Sequence, residues 1–207
     1  MLLASKTDID ESKTFTIPSS RRTLDVGFVP MTDCAPLIVA KELGYFERAG
    51  LDVNLSREAG WGTIRERMLH RELDAAHAHA SMLYEMNLGL GMRSGRCLTG
   101  LMMSHNGSAI SFSNELWELG VRDARSMNRV ICELAGKRKL RLAVVLKYST
   151  QNYLLRKWLR TGGIDPDVDV ELLVVPPPQV FTCLLNGHID CYCVGEPWGA
   201  MGLLVGA

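Results

Sequence analysis

The stretch from Ser56 to Met82 holds the residues best suited to bind a ligand. A Gly60-Trp61-Gly62 turn lies between the end of a predicted strand and the start of a predicted helix. The indole N–H of Trp61 is a hydrogen-bond donor without an acceptor, and the first backbone N–H groups of a helix attract anions. A tryptophan at a helix start can also serve only as a core anchor. We interpret the stretch as the floor of an anion pocket.

Two histidines follow the helix at alternate positions. His77 and His79 form a His-x-His pair on a predicted strand, which is only half of a zinc site because zinc needs four ligands. We favour a hydrogen-bonded histidine at the pocket edge, with His77 as a candidate ligand contact, and we predict no metal and no cofactor. Near the C-terminus, Glu196 precedes Pro197, and this pair either contacts the ligand or starts a helix.

Alternating strands and helices must carry these residues. The hydrophobic period changes from about 3.6 to about 2 near Leu73, as expected for a helix followed by a strand. The β-α alternation resumes at Leu140, which indicates an α/β protein with parallel sheets and covering helices. We divide the chain into a flexible segment at 1–20, a first lobe at 21–113 and a partial second lobe at 114–207. Two such lobes facing a cleft would each offer a strand end to one ligand.

Composition narrows the functional class. The chain has 207 residues, with 23 Lys and Arg against 23 Asp and Glu, so its formal net charge is zero. That balance supplies no long-range field for nucleic acid or an anionic membrane, and no window approaches the roughly 18 apolar residues of a membrane span. We therefore expect neither direct nucleic-acid binding nor membrane insertion.

The N-terminus and the cysteines indicate a compartment. Only Leu2, Leu3 and Ala4 form an apolar run before the charged residues, well short of the about 7–15 residues of a signal-peptide core. Six scattered cysteines without an export signal are expected to be reduced thiols. We therefore predict a cytoplasmic location, with a periplasmic location as the alternative if the N-terminus is mis-assigned.

Motifs of common enzyme classes are absent from the sequence. It contains no Gly-x-Ser-x-Gly nucleophile elbow, no Walker A lysine motif and no His-Glu-x-x-His pair. No two carboxylates have a spacing that suggests acid–base catalysis. We therefore predict a binding protein that is not an enzyme.

Several motifs between about Leu24 and the end of the chain together resemble one protein family. They are GFVPMTDCAP from Gly27, LSREAGW from Leu55, LDAAH from Leu73, GGIDPDVDV from Gly162, VPPPQ from Val175 and CVGEPW from Cys193. This combination resembles the nitrate/nitrite/bicarbonate-binding proteins of ABC transporters. The resemblance implies a two-lobed periplasmic-binding-protein fold of type II that closes on a small oxyanion. It also includes a cytoplasmic branch of nitrate and nitrite sensors, which restrain an RNA-binding antiterminator.

The resemblance implies roles for three positions. Trp61 matches the family's nitrate-contacting tryptophan. Ser108 follows Asn-Gly, where transporter members carry an amide side chain, and Gln151 stands where they carry a histidine. Both positions keep a hydrogen-bond donor, so the resemblance implies an anion site and leaves the choice of anion open. The family's pocket lysine would fall beyond the last residue of this chain.

The family's chain returns from the second lobe to complete the first, whereas this sequence ends soon after the CVGEPW motif. We therefore expect a C-terminally truncated form, in which the second lobe and the return segment are incomplete. Such a form would expose a sheet edge and apolar helix faces, which favours aggregation or pairing.

These observations lead to one functional prediction. The protein binds nitrate or nitrite without catalysis, and its predicted ligand-binding residues are Trp61, Gly60, Gly62, Ser108, Gln151, His77 and Glu196. It acts either as an ABC-transporter substrate-binding protein with a permease partner or as a sensor with an antiterminator partner. The alternatives are bicarbonate, sulfonate or a pyrimidine precursor as ligand, or a precursor-synthesising enzyme of the same fold with Cys34 as nucleophile.

Overall fold

The computed structural model describes residues 23–91 and 93–204, in which two β-sheets are covered by helices. The segment predicted to be flexible, at 1–20, lies outside the described residues. Within the described part, no helix combines the length and apolar character that crossing a membrane requires. All six cysteines are free thiols.

The first sheet has three parallel strands in the order β2-β1-β3. Its strands are β1 (Thr23–Phe28), β2 (Asp52–Arg57) and β3 (Ala75–Ala76). Parallel neighbours need crossover connections, and here helices supply them. The helices are α1 (Ala35–Glu42), α2 (Tyr45–Arg48), α3 (Trp61–Leu69) and α4 (Ala80–Leu88), with a 3-10 turn at Thr32–Cys34.

The second sheet has four strands in the order β4-β7-β5-β6, and β4 is antiparallel to β7. Its strands are β4 (Ser108–Phe112), β5 (Leu140–Val144), β6 (Val170–Val174) and β7 (Cys191–Gly195). Every residue of β7 is buried, as its central position requires, and this explains its continuous apolar sequence. The helices are α5 (Asn114–Glu118), α6 (Ala124–Glu133), α7 (Thr150–Thr161), α8 (Pro177–Leu185) and α9 (Trp198–Leu204).

Local sequence explains where the helices of the second sheet begin. The Asp123 carboxylate accepts a hydrogen bond from the Ser126 N–H, and the Ser126 hydroxyl accepts one from the Asp123 N–H, which forms a capping box for α6. Ser149 caps α7 by accepting from the Asn152 N–H, and Pro177 occupies the first turn of α8, where its missing N–H costs nothing.

Buried apolar residues form two clusters. One lies within the second sheet and its helices α5 to α7. The other draws on both sheets: it includes Trp61, Ile64 and Met82 from the first and Val180 and Tyr192 from the second. The two halves of the chain therefore share one core where their helices meet.

The first half of the chain is less regular than the sequence pattern predicts. The alternation from Asp74 to Ala80 predicts a full strand, but β3 contains only Ala75–Ala76. The apolar run at 98–103 forms no helix or strand among the described residues. Strand β4 lies on the first-lobe side of our boundary at 113/114, yet its hydrogen bonds are to β7 of the second sheet.

Candidate functional site

The start of α3 faces the start of α8. Gly60 is the N-cap of α3, and no side chain caps this end. A Cβ atom placed on Gly60 would lie 3.6 Å from Pro176 Cβ and 3.9 Å from Pro177 Cδ, at the first turn of α8. The two helices follow strands of different sheets, so this contact lies between the two halves of the chain.

A second pair of helix starts meets close by. Ser81 Oγ in the first turn of α4 lies 3.3 Å from Thr150 Oγ1, the first residue of α7. Each of these four helices has nine residues or more, and each N-terminus carries a partial positive charge. The first two residues of α8 are prolines without an N–H, and Ser149 already accepts from the Asn152 N–H of α7. The arrangement favours a small anion between the lobes.

Trp61 lies at the centre of this region and has an unusual polar group. Its side chain is 1% exposed, and among the described residues its Nε1 is buried without a hydrogen-bond partner. A buried donor without an acceptor costs about 1–3 kcal/mol. A bound ligand that accepts this N–H would remove the cost.

Two histidine rings pack against Trp61. The ring centroids of His77 and His79 lie 5.0 Å and 5.1 Å from that of Trp61. His77 Nε2 is 3.1 Å from Asp33 Oδ1, and His79 Nδ1 is 2.9 Å from Ser81 Oγ. Burial, reinforced by the charge that His77 would carry, lowers the pKa of His79 to about 4. His79 is therefore neutral near pH 7.

Three further predicted residues lie at the same end of their elements. Gln151 is the second residue of α7, and its buried Oε1 has no partner among the described residues. Ser108 begins β4 opposite Gly195, at the carboxyl end of β7. A Cβ atom on Gly62 would meet nothing within 4 Å. Trp61 contacts the rings of His77 and His79, and His79 is connected through Ser81 to Thr150 at the start of α7. Ser108 lies apart from these contacts, at the start of β4 beside the carboxyl end of β7.

Glu196 is engaged in holding structure together. Its Oε2 accepts from the Ala200 N–H at 2.8 Å, near the start of α9. Its backbone oxygen accepts from the N–H and the hydroxyl of Thr32, which connects the end of β7 to the first lobe. A ligand contact by Glu196 stays a prediction.

Several polar residues of this region were not predicted as site residues. Asp33 directly precedes Cys34, the N-cap of α1, and lies beside His77, with its Oδ1 3.1 Å from His77 Nε2. Trp198 Nε1 is a second indole donor that is buried and unpartnered among the described residues. In the sequence, only the position of Trp198 in the CVGEPW motif indicated that it could belong to the site.

Within the described residues, this region holds no metal centre, and a cavity of the structure lies elsewhere. No group of three or more His, Cys, Asp or Glu residues in the described part could hold a metal ion. A cavity of about 460 Å³ lies at the amino ends of β5 and β7, and its lining includes Arg138, Arg141 and Asp190. Asp190 accepts from the Arg138 guanidinium at 2.8 Å and from the backbone N–H of Arg141 at 2.7 Å. Its Oδ2 also lies 4.0 Å from Arg141 Nε, so the carboxylate already has its partners.

Comparison with known proteins identifies the family. A model described as the NMT1-like family matches residues 18–204. The chain belongs to the NMT1-like family. It is 43% identical over 179 residues to the nitrate import ATP-binding protein NrtC of Synechocystis sp., and 39% identical over 179 residues to the bicarbonate transport ATP-binding protein CmpC of Synechococcus elongatus. These matches cover 86% of this chain and 27% of each relative.

A solved structure extends the comparison to the fold. The crystal structure of the periplasmic nitrate-binding protein NrtA from Synechocystis PCC 6803 superposes with a TM-score of 0.84 at 28% identity. The superposition covers 90% of this chain and 50% of NrtA. The predicted family resemblance, the α/β periplasmic-binding-protein fold and its partial extent are confirmed. NrtA is a binding protein, which agrees at the level of the family with our prediction of a non-enzyme.

The predicted cytoplasmic location is wrong. It rested on the first residues of the chain alone, whereas the solved relative NrtA is a periplasmic protein. The N-terminal residues describe only their own stretch of the sequence, so the fold and the family are the stronger evidence about location.

Proposed function

We propose that this chain binds a small oxyanion, nitrate or bicarbonate, as the substrate-binding part of an ABC import system. The observation that carries the proposal is the Nε1 of Trp61 at the start of a helix, which is buried and has no hydrogen-bond partner in the part of the chain that the structure describes. The relatives support it, since NrtA is a nitrate-binding protein and NrtC and CmpC serve nitrate import and bicarbonate transport. Binding requires no bond to be made or broken, so no catalytic group is needed.

Neutral donors from both lobes would hold the anion. Trp61 contributes an indole N–H and the turn at Gly60 and Gly62 contributes backbone N–H groups. From the other lobe, Gln151 contributes an amide and Ser108 a hydroxyl. A hydrogen bond from a neutral donor to an anion is stronger than one between neutral groups. A ring of such donors suits a planar oxyanion.

Gln151 bears on the choice between nitrate and bicarbonate. Nitrate only accepts hydrogen bonds, so it would need the amide nitrogen of Gln151 to face the ligand. Bicarbonate also carries a hydroxyl that donates, and Gln151 Oε1 is a buried acceptor without a partner among the described residues. This orientation favours bicarbonate as the second candidate ligand, although the two ends of an amide are exchanged by a simple flip.

The partner we propose is an ABC permease, and the relatives above give no support to an antiterminator. The chain spans about a quarter of the relatives NrtC and CmpC, 27% in each case. We do not propose ATP binding, because the sequence has no Walker A motif to cradle phosphates.

Replacement of Trp61 by Phe tests the proposal. Trp61→Phe keeps an aromatic ring in the core and removes the N–H donor. We expect the dissociation constant for the bound anion to rise about tenfold to a hundredfold, the range for a hydrogen bond to a charged group. Isothermal titration calorimetry with nitrate, nitrite and bicarbonate measures this.

Trp117→Phe is the matched control, because Trp117 is exposed and its ring lies under Arg122. It should bind the anion as the wild type does. Absence of binding of all three anions by the wild type, or equal affinity in Trp61→Phe, would contradict the proposed function.

A further inference from the structure

His79 has one committed ring nitrogen and one free one. It is the N-cap residue of α4, and its Nδ1 lies 2.9 Å from Ser81 Oγ. The residue as a whole is partly exposed, yet its Nε2 is buried and has no hydrogen-bond partner among the described residues. A buried ring nitrogen of this kind needs a partner that is not part of the described chain.

The free nitrogen belongs to the same region as the free indole N–H. The rings of His79 and Trp61 meet edge to face at a centroid distance of 5.1 Å, and Trp61 Nε1 is also unpartnered. Two buried donors on adjoining rings can both be satisfied by one small acceptor that carries several oxygen atoms. The sequence pattern His77-x-His79 favoured a histidine at the pocket edge but gave no reason to choose His79 over His77.

The orientation of His79 is tied to the other lobe. Ser81 Oγ contacts His79 Nδ1 and also lies 3.3 Å from Thr150 Oγ1. When Ser81 donates to Nδ1, the neutral ring carries its hydrogen on Nε2 and can donate it. Gln151, the neighbour of Thr150, is one of the proposed ligand contacts. This relay would therefore orient His79 when the two lobes are together.

We propose that His79 is a further ligand-binding residue, which donates its Nε2–H to the same oxyanion as Trp61 and takes up a proton from solvent when that anion binds. The inference rests on the proposed function. It adds one ligand-binding residue and the uptake of one proton when the anion binds. The proton binds Nδ1, so the Ser81 hydroxyl turns from donating to this nitrogen to accepting from the new Nδ1–H and is free to donate to Thr150 Oγ1. The product is an imidazolium paired with the bound anion, and the one covalent bond formed is Nδ1–H.

The electrostatic environment explains the proton uptake. In the free protein, burial and then the charge that His77 would carry lower the pKa of His79 to about 4, while Asp33 opposes this effect. These two residues are the titratable groups found to act on the ring. An anion at Nε2 favours the charged imidazole and raises its pKa in the complex. Affinity then increases as pH falls, down to the pKa of the free protein.

Asp33 is the carboxylate that acts on both histidines. Its Oδ1 is 3.1 Å from His77 Nε2, and its charge partly opposes the lowering of the His79 pKa. His77 Nδ1 is also buried without a hydrogen-bond partner among the described residues. His77 pairs with Asp33 through its other nitrogen, whereas the ring of His79 is tied through Ser81 to Thr150 of the other lobe.

Calorimetry with nitrate tests the proposal on the full 207-residue chain. Nitrate is the probe because it stays ionised across the range studied. Titrations in two buffers of different ionisation enthalpy report the protons taken up, from about pH 8 down to about pH 5. We expect proton uptake and an affinity that rises by up to about tenfold for each pH unit below the pKa of the complex.

Three variants separate contact from packing. His79→Leu should weaken nitrate binding about tenfold or more. His79→Gln keeps a donor that does not titrate, so it should bind at pH 7 nearly as the wild type does and lose the pH dependence. His188→Gln is the matched control, since His188 is exposed at the end of α8, and it should change neither quantity.

The outcomes distinguish this inference from the proposed function. If the wild type binds nitrate but takes up no proton, or if His79→Leu binds it equally well, the inference is overturned and the proposed function stands. If the wild type binds bicarbonate and not nitrate, the role of His79 in taking up a proton with nitrate is overturned. Absence of any anion binding overturns both.

Discussion

A buried polar atom without a hydrogen-bond partner is a stronger indication of a ligand site than one whose hydrogen bonds are made within the protein. Trp61, Gln151 and His79 each have such an atom among the described residues, and all three lie at helix starts. Trp61 could be proposed from the sequence, because the Gly-Trp-Gly turn and its motif are local. His79 could not, because its contact with Ser81 and Thr150 joins positions far apart in the chain.

A buried ion pair joins α3, which begins with Trp61, to α4, which His79 precedes. The side chain of Glu85 on α4 is 0% exposed, and its Oε1 accepts a hydrogen bond from Arg65 Nη1 on α3 at 2.9 Å. Arg65→Met removes the cation and leaves the carboxylate buried and unpaired. We expect the free energy of unfolding to fall by about 3 kcal/mol, the lower end of the usual range because Arg65 is 23% exposed. Urea denaturation measures this.

The double variant Arg65→Met, Glu85→Leu is the control for that measurement. It removes both charges and should recover most of the lost stability, since the unpaired carboxylate is gone. Equal stability of Arg65→Met and the wild type would show that Glu85 finds another partner.

At the scale of elements, helix starts are encoded locally, whereas strand length and strand pairing are not. Caps such as Asp123 and Ser149 are local signals, and they stand where α6 and α7 begin. Strand β3 is short although its sequence alternates, because strand length depends on the neighbour that pairs with it. The pairing of Ser108 with Gly195 is equally a long-range fact, so the sequence alone could not assign β4 to the second sheet.

The capping box of α6 predicts a dependence of stability on pH. Hydrogen bonds from Ser126 lower the pKa of the exposed Asp123 carboxyl below its ordinary value. A lowered folded pKa means that this contribution is present above about pH 4 and is lost as pH falls through the folded pKa. Asp123→Asn keeps an acceptor that does not titrate, so its melting temperature should fall less than that of the wild type between neutral and acid pH. Thermal melts followed by circular dichroism measure this, and parallel curves for the two proteins would contradict it.

At the scale of the whole molecule, the chain spans half of the solved relative and exposes large apolar side chains. Leu98 is 85% exposed, Leu101 74% and Met102 68%, all in the segment before β4 without regular structure. Exposed apolar groups that lie close together favour association. The two-lobed α/β class could be predicted because its motifs span the whole sequence. The exposure of this segment could not be predicted, because it depends on which parts of the folded protein pack against it.

Charged residues in this segment should reduce self-association. We expect the chain to associate increasingly with concentration, and Leu98→Glu, Met102→Glu to shift that onset to higher concentration without lowering the melting temperature, because neither side chain is buried. Sedimentation velocity over a concentration series measures the association. Lys157→Glu is the control, because it changes the charge at an exposed position of α7. An equal shift of the association onset in that variant would assign the effect to net charge alone.

The burial of Trp61 beneath both lobes has a consequence for the rate of ligand exchange. With its side chain 1% exposed and Ser81 in contact with Thr150, no anion reaches the indole from bulk water while the lobes are together. Separation of the lobes must precede both entry and exit, so at high anion concentration the speed of capture is set by the protein's own motion. The residence time of a bound anion would then measure how long the two halves of the chain stay joined.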